Sequence, residues 1–407
     1  MERKLAGLAR SQVCLVLARR VGGPWMLLSL LRPAATLLLA ARSSFARMSS
    51  SSVRPIERAE EARLDVGNGV SLWYRVWGNP SGIPCVFVHG GPGQCVADYD
   101  NVNARFFDPE LFRVVEVDQR GTGLSQPSVR DDFRHMAKYA DISIAQMSAD
   151  FELVRAALGI DKWLVFGGSW GSTLGLDYAL TYPEACRGLI LRGIFLNTEA
   201  EMEAIYARKS FAGNERRLAE FDTFFELAAK EAARRAEPPL DPDDARRFVQ
   251  LYEDLITSGD RDAIWRFYVF ENNIIEEDPS KLLDPRVIDE GDFAEAQSVS
   301  FFEARLFLKG TYEEPVQLLG ERLKCLAAGE GRPAVRTWVA QGTGDEICPE
   351  IFAQQLVAGL AENGVPHTAY FFDAGHSAKS DGMSKMLRQC VDEFVAGEPM
   401  ASDRASR

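Results

Sequence analysis

From about Ala62 onward, short apolar runs alternate with longer stretches in which apolar positions recur every three or four residues. The runs at 72–76, 85–88, 112–117, 163–166, 188–194, 335–340 and 368–372 lead into turns containing Gly, Asn or Asp and predict strands. Segments 144–158, 172–182, 351–360 and 383–394 carry the helical period, the second of them closed by Pro183. Strands that are apolar along their length must be covered on both faces. The alternation therefore predicts an α/β fold, a mostly parallel sheet with helices on both sides. The pattern breaks between Phe195 and Arg332. That stretch is rich in Ala, Glu, Arg and Phe, lacks β-branched runs and is jointed at Pro238, Pro239, Pro242, Pro279 and Pro285, which predicts an inserted helical cap. The expected organisation is a core of residues 53–195 and 331–397, a cap of 196–330, a leader of 1–52 and a disordered tail of 398–407. Set between two core strands at the carboxyl side of the sheet, the cap is expected to cover the functional site and to govern selectivity.

Composition changes this picture mainly at the N-terminus. The first 47 residues hold eight basic residues and a single acid, Glu2, a net charge of +7. Such an Arg-rich, Ser-containing, acid-poor leader reads as a mitochondrial or plastid transit peptide. A secretory signal is the rival reading, because 25–31 and 34–41 are apolar, but Arg32 and Pro33 cut that stretch too short to span a bilayer. Initiation at Met48 would place the protein in the cytoplasm. The whole chain carries −13, so the part beyond the leader carries −20, which argues against nucleic acid as a partner and is read as solubility. Seven cysteines, Cys14 among them, form no C-x-x-C pair and no His/Cys cluster, so neither a zinc site nor a disulfide framework is expected. No metal, organic cofactor or stable membrane insertion is expected, and the oligomeric state stays open.

The candidate chemistry lies at the ends of the apolar runs. Gly167-Gly168-Ser169-Trp170-Gly171 separates a strand from a helix, the context in which a G-x-S-x-G turn exposes a nucleophilic serine at the edge of an α/β-hydrolase sheet. A serine hydroxyl needs a base to take its proton and an acid to orient that base, in the chain order Ser, Asp or Glu, His. Of the four histidines only His367 and His376 follow Ser169, and His367 opens a strand whereas His376 lies in the loop after it. His376 is therefore the expected base, and Asp345, just past the preceding strand, the expected acid. Val86-Phe87-Val88-His89-Gly90-Gly91-Pro92-Gly93 supplies the glycine-rich loop from which Gly91, with Trp170, is expected to donate N–H groups to an oxyanion. His89 precedes the serine and is read as structural. Asp118, Arg120 and Ser125 are read as turn and packing residues.

The His89-Gly90-Gly91-Pro92-Gly93 loop, the Asp118-Gln119-Arg120-Gly121-Thr122-Gly123 turn and the Gly-Gly-Ser-Trp-Gly-Ser elbow together resemble the prolyl aminopeptidase (proline iminopeptidase) family of α/β-hydrolases. The likeness continues through Leu191-Arg192-Gly193-Ile194-Phe195 and Asp345-Glu346-Ile347-Cys348-Pro349 to Gly375-His376-Ser377, over about residues 60–397. The resemblance implies a serine exopeptidase acting on a peptide or aminoacyl amide with a free N-terminus, preferably prolyl. Family members hold that amine with two cap glutamates, and the matching stretches here are Phe270-Glu271-Asn272 and Phe301-Phe302-Glu303-Ala304-Arg305-Leu306-Phe307. Both keep the glutamate, while their neighbours depart from the family's pattern. By the same resemblance Arg192 braces Glu271 and Glu303, and Phe195, Phe307 and Cys348 line the pocket for the proline ring. A broad carboxylesterase or amidase, and a binding protein that keeps the scaffold without turnover, are the alternatives.

Overall fold

The computed structural model describes residue 56 and residues 59–398 apart from positions 100, 277 and 330. The expected leader, with Cys14, and the tail past residue 398 lie outside the described residues. Eight strands form one sheet: β1 (Ala59–Asp65), β2 (Ser71–Gly78), β3 (Ile83–Val88), β4 (Phe112–Val117), β5 (Trp163–Ser169), β6 (Cys186–Ile194), β7 (Thr337–Gly342) and β8 (His367–Phe372). Their order is β1-β2-β4-β3-β5-β6-β7-β8. The pairs β1/β2 and β2/β4 are antiparallel and the rest are parallel. The seven runs read as strands are all present. Strand β1 has no counterpart among them, because Ala59–Asp65 is polar and mostly exposed; in the sheet it pairs with β2.

Period-two packing through β5 shows why a continuous apolar run was required. Trp163 and Val165 enter the core on one face, while Leu164 and Phe166 enter the core on the other. The first face is covered by α1 (Ile144–Ala157) and α2 (Trp170–Thr181), and the second by α9 (Asp381–Gly397) through Met383, Leu387 and Phe394. Helix α8 (Glu350–Glu362) connects β7 to β8.

Between β6 and β7 the described residues form five α-helices, α3 (Glu199–Tyr206), α4 (Glu215–Arg234), α5 (Ala245–Thr257), α6 (Arg261–Ile275) and α7 (Phe293–Leu308). Thr198, Asn214, Asp244 and Asp260 start the first four, each side chain accepting the N–H three residues on. These helices share an aromatic core in which Phe224 stacks on Phe270 at 4.2 Å and meets Phe248 edge-on at 4.8 Å. Among the described residues no helix is long and apolar enough to cross a membrane.

Candidate active site

Ser169 ends β5 with φ 57° and ψ −132°, and α2 begins at the next residue. A non-glycine residue in that region is strained, and the surrounding glycines explain how the turn closes. A Cβ on Gly171 would stand 2.2 Å from the Val88 carbonyl oxygen, and one on Gly168 would stand 2.2 Å from Arg192 Nε. Across the cleft, His376 Nδ1 lies 2.8 Å from Asp345 Oδ2. Asp345 Oδ1 accepts the Cys348 N–H at 2.8 Å and the Ile347 N–H at 3.1 Å. Burial pushes the Asp345 carboxyl up, but the facing imidazole, its hydrogen bond and the Cys348 amide outweigh that and hold it below the usual range. An ionised Asp345 only accepts, so the proton of neutral His376 sits on Nδ1 and Nε2 is left as the base. His376 and Ser169 line one cavity of about 950 Å³.

The glycine-rich loop is held from below. Gln119 N donates to His89 Nε2 at 3.1 Å, so the ring proton is on Nδ1, which donates to Gly90 O at 3.0 Å. Complete burial lowers the His89 pKa to about 4 and keeps the ring neutral. The Gly90 N–H is taken by the Tyr99 hydroxyl at 2.6 Å, while Gly91 lines the cavity. Trp170 is the first residue of α2, where backbone N–H groups have no partner within the helix. Gln119 links the start of the loop that carries Gly91 to the Trp170 side chain, its Nε2 donating to His89 O at 2.9 Å and its Oε1 accepting from Trp170 Nε1 at 3.1 Å. Asp118, Arg120 and Ser125 are turn and packing residues as expected: Asp118 accepts from Val96 and Leu124, Arg120 pairs with Asp150, and Ser125 bonds Asp118 O.

Helices α6 and α7 bring Glu271 and Glu303 to the same cavity, at 9% and 6% exposure. Tyr206 donates its hydroxyl to Glu271 Oε1, whereas Glu303 Oε2 is buried without a hydrogen-bond partner among the described residues. Burial raises the Glu271 pKa to about 7 against the lowering effect of Tyr206. Burial, and then the charge of Glu271, push Glu303 well above the carboxylate range. Phe195 and Phe307 meet at 5.2 Å in the cavity wall, and Phe307 lies 6.4 Å from Trp170. Cys348 also faces the cavity, and its thiol is pushed well up, first by burial and then by Asp345.

The model of the alpha/beta hydrolase fold family matches residues 83–382. Over 334 residues the chain is 31% identical to the probable proline iminopeptidase of Leptolyngbya boryana, covering 80% of this chain and 91% of that protein. The chain belongs to the proline iminopeptidase family. It is also 30% identical over 341 residues to the proline iminopeptidase of Neisseria gonorrhoeae, covering 82% of this chain and 95% of that protein. The crystal structure of the proline iminopeptidase of Mycobacterium smegmatis superposes with a TM-score of 0.50 at 19% identity, over 83% of this chain and all of that one, a likeness of fold.

One residue of this proline iminopeptidase-family chain departs from the expected site. Arg192 makes no ion pair with Glu271 or Glu303 among the described residues; its Nη1 donates to His376 O at 3.0 Å. The reason is local, since Arg192 stands beside Gly168 in the β5/β6 register and its side chain passes over the bare glycine toward the histidine loop. Two participants escaped the sequence reading. Gln119 and Tyr206 are linked to the site only by folding, and Cys348, expected as a pocket residue, also forms a cluster with Asp345 and His376 within 4.8 Å. Sequence spacing shows no such cluster because the three residues come from two separate loops.

Proposed function

We propose that the chain is a serine exopeptidase that releases an N-terminal residue, preferably proline, from short peptides or aminoacyl amides. The observation that carries this reading is the pair Glu271 and Glu303, buried in the cavity of Ser169 and His376 with no cationic side chain within ion-pair distance among the described residues. Buried carboxylates without a counter-charge are costly, and a protonated terminal amine supplies the missing one. An acylated amine brings no charge and leaves the carboxylates unmatched. The names of the relatives support prolyl substrates, and the wall of Phe195, Phe307 and Cys348 suits an apolar ring.

In this reading Ser169 Oγ attacks the scissile carbonyl carbon while its proton passes to His376 Nε2, and Asp345 steadies the imidazolium. The N–H groups of Gly91 and Trp170 receive the oxyanion. His376 then protonates the leaving amine as the C–N bond breaks, and a water activated by the same imidazole hydrolyses the ester on Ser169. For the full chain we propose delivery to a mitochondrion or plastid by the Arg-rich leader, with the cytoplasm as the alternative, to be read by imaging a C-terminally tagged protein with and without residues 1–52.

The deciding experiment is a panel of fluorogenic aminoacyl amides, free and N-acetylated, assayed on the chain lacking the leader. The expected result is hydrolysis of the free prolyl amide and negligible hydrolysis of its N-acetyl form. Equal rates on both would instead indicate a carboxylesterase or amidase, and no turnover of any member a binding protein.

A further inference from the structure

The carboxyl end of α6, one turn past Glu271, is secured by two consecutive arginines of α4. Arg216 Nη1 donates to Asn273 O at 2.9 Å, and Arg217 Nη2 donates to Ile274 O at 2.5 Å. Carbonyls in the last turn of a helix lack partners within it and carry partial negative charge, so guanidinium groups are the fitting donors. Arg217 does more than cap. The same Nη2 forms an ion pair with Glu346, the residue after Asp345, in the short loop whose Ile347 and Cys348 amides hold the Asp345 carboxylate. Arg217 is only 8% exposed and its Nε is buried without a hydrogen-bond partner among the described residues, so the contacts of Nη2 with Ile274 and Glu346 hold the head group in place.

We propose that Arg217 is a positioning residue that locks the end of α6, and with it Glu271, in register with the loop of Asp345. The proposal rests on the amine-anchor reading of Glu271. One guanidinium nitrogen thereby joins the part of the site that holds the substrate amine to the part that orients the base. The separation between the amine-binding carboxylate and the attacked carbonyl is then set by a contact that touches neither substrate nor Ser169. Small misplacements of such groups are costly because productive alignment tolerates little error.

The test compares two substrates on Arg217→Met and Glu346→Gln. Prolyl p-nitroanilide needs both the amine anchor and the triad, whereas p-nitrophenyl acetate has no amine and needs the triad alone. Arg217→Met is expected to raise KM for the anilide about tenfold, the loss of one charge-assisted contact, with acetate hydrolysis within about twofold of the parent. Glu346→Gln, which keeps the cap on Ile274 and folds independently of the buried arginine, is expected to shift the same KM in the same direction by less. In a Glu271→Gln background the Arg217→Met effect should vanish. Equal losses on the two substrates, or an unchanged anilide KM in both variants, would overturn the proposal alone. A parent enzyme that hydrolyses N-acetyl-prolyl anilide as readily as the free form would overturn the amine anchor itself, and this proposal with it.

Discussion

At the scale of single residues, burial raises the pKa of both Glu271 and Glu303, while His376 and the Cys348 amide outweigh it at Asp345. Ser169→Ala removes the nucleophile and is expected to lower kcat on a prolyl amide by several orders of magnitude, and retention of more than a few per cent of activity in a steady-state assay would refute the assignment. Glu303 Oε2 has no hydrogen-bond partner among the described residues, so Glu303→Gln should chiefly raise KM, and an unchanged KM on a prolyl amide would remove it from the anchor. The pH dependence has a worked sign. Below about 7 Glu271 takes up a proton and the amine loses its counter-charge, so KM should rise as pH falls through that range. Loss of the substrate's ammonium charge closes the alkaline side. An acetate ester, which has no amine, should show neither the KM rise nor the alkaline fall; identical profiles for both substrates would contradict this.

At the scale of elements, β3, β5, β7 and β8 were legible because each apolar run ends at the residue that matters, and His89, Ser169, Asp345 and His376 follow those runs at or near their carboxyl ends. The contacts between elements were not legible. Gln119 bridges His89 and Trp170 over 30 and 51 positions, and no local pattern announces such a bond. Gln119→Leu should lower kcat by about tenfold or more with little change in KM, since the His89 end of the Gly91 loop and the Trp170 side chain, which position the two proposed oxyanion donors, lose their common tie, and a change confined to KM would show that it serves binding instead. The cap helices store a destabilising group. Free in the unfolded chain, Glu271 ionises near 4.5, whereas in the fold it does so near 7, so its penalty is absent below the first value, grows between them and is complete above the second. Glu271→Gln should therefore raise Tm at pH 8 by roughly a few degrees and leave it nearly unchanged at pH 5; equal shifts in thermal melts at both pH values would refute this.

At the scale of the whole molecule, the sheet presents the nucleophile and the insertion between β6 and β7 presents the carboxylates, so cleavage should occur only a fixed distance from a charged chain end. A prolyl tripeptide should lose one residue and no more in a mass-spectrometric time course, and internal cleavage of an N-acetylated peptide would contradict the arrangement. The order of apolar runs, the glycines of the elbow and the scarcity of histidines were enough by themselves to determine the fold class and to single out the candidate serine, acid and base, because each of those is written in local pattern and chain order. The place of Arg192 was not, and its expected contact with the glutamates gave way to the carbonyl of His376. Nor were Tyr206 on Glu271 or Arg217 on Ile274 and Glu346. Those contacts belong to the tertiary structure alone, since hydrogen bonds and charges act through distance in space, and folding brings together side chains that sequence separation leaves unrelated.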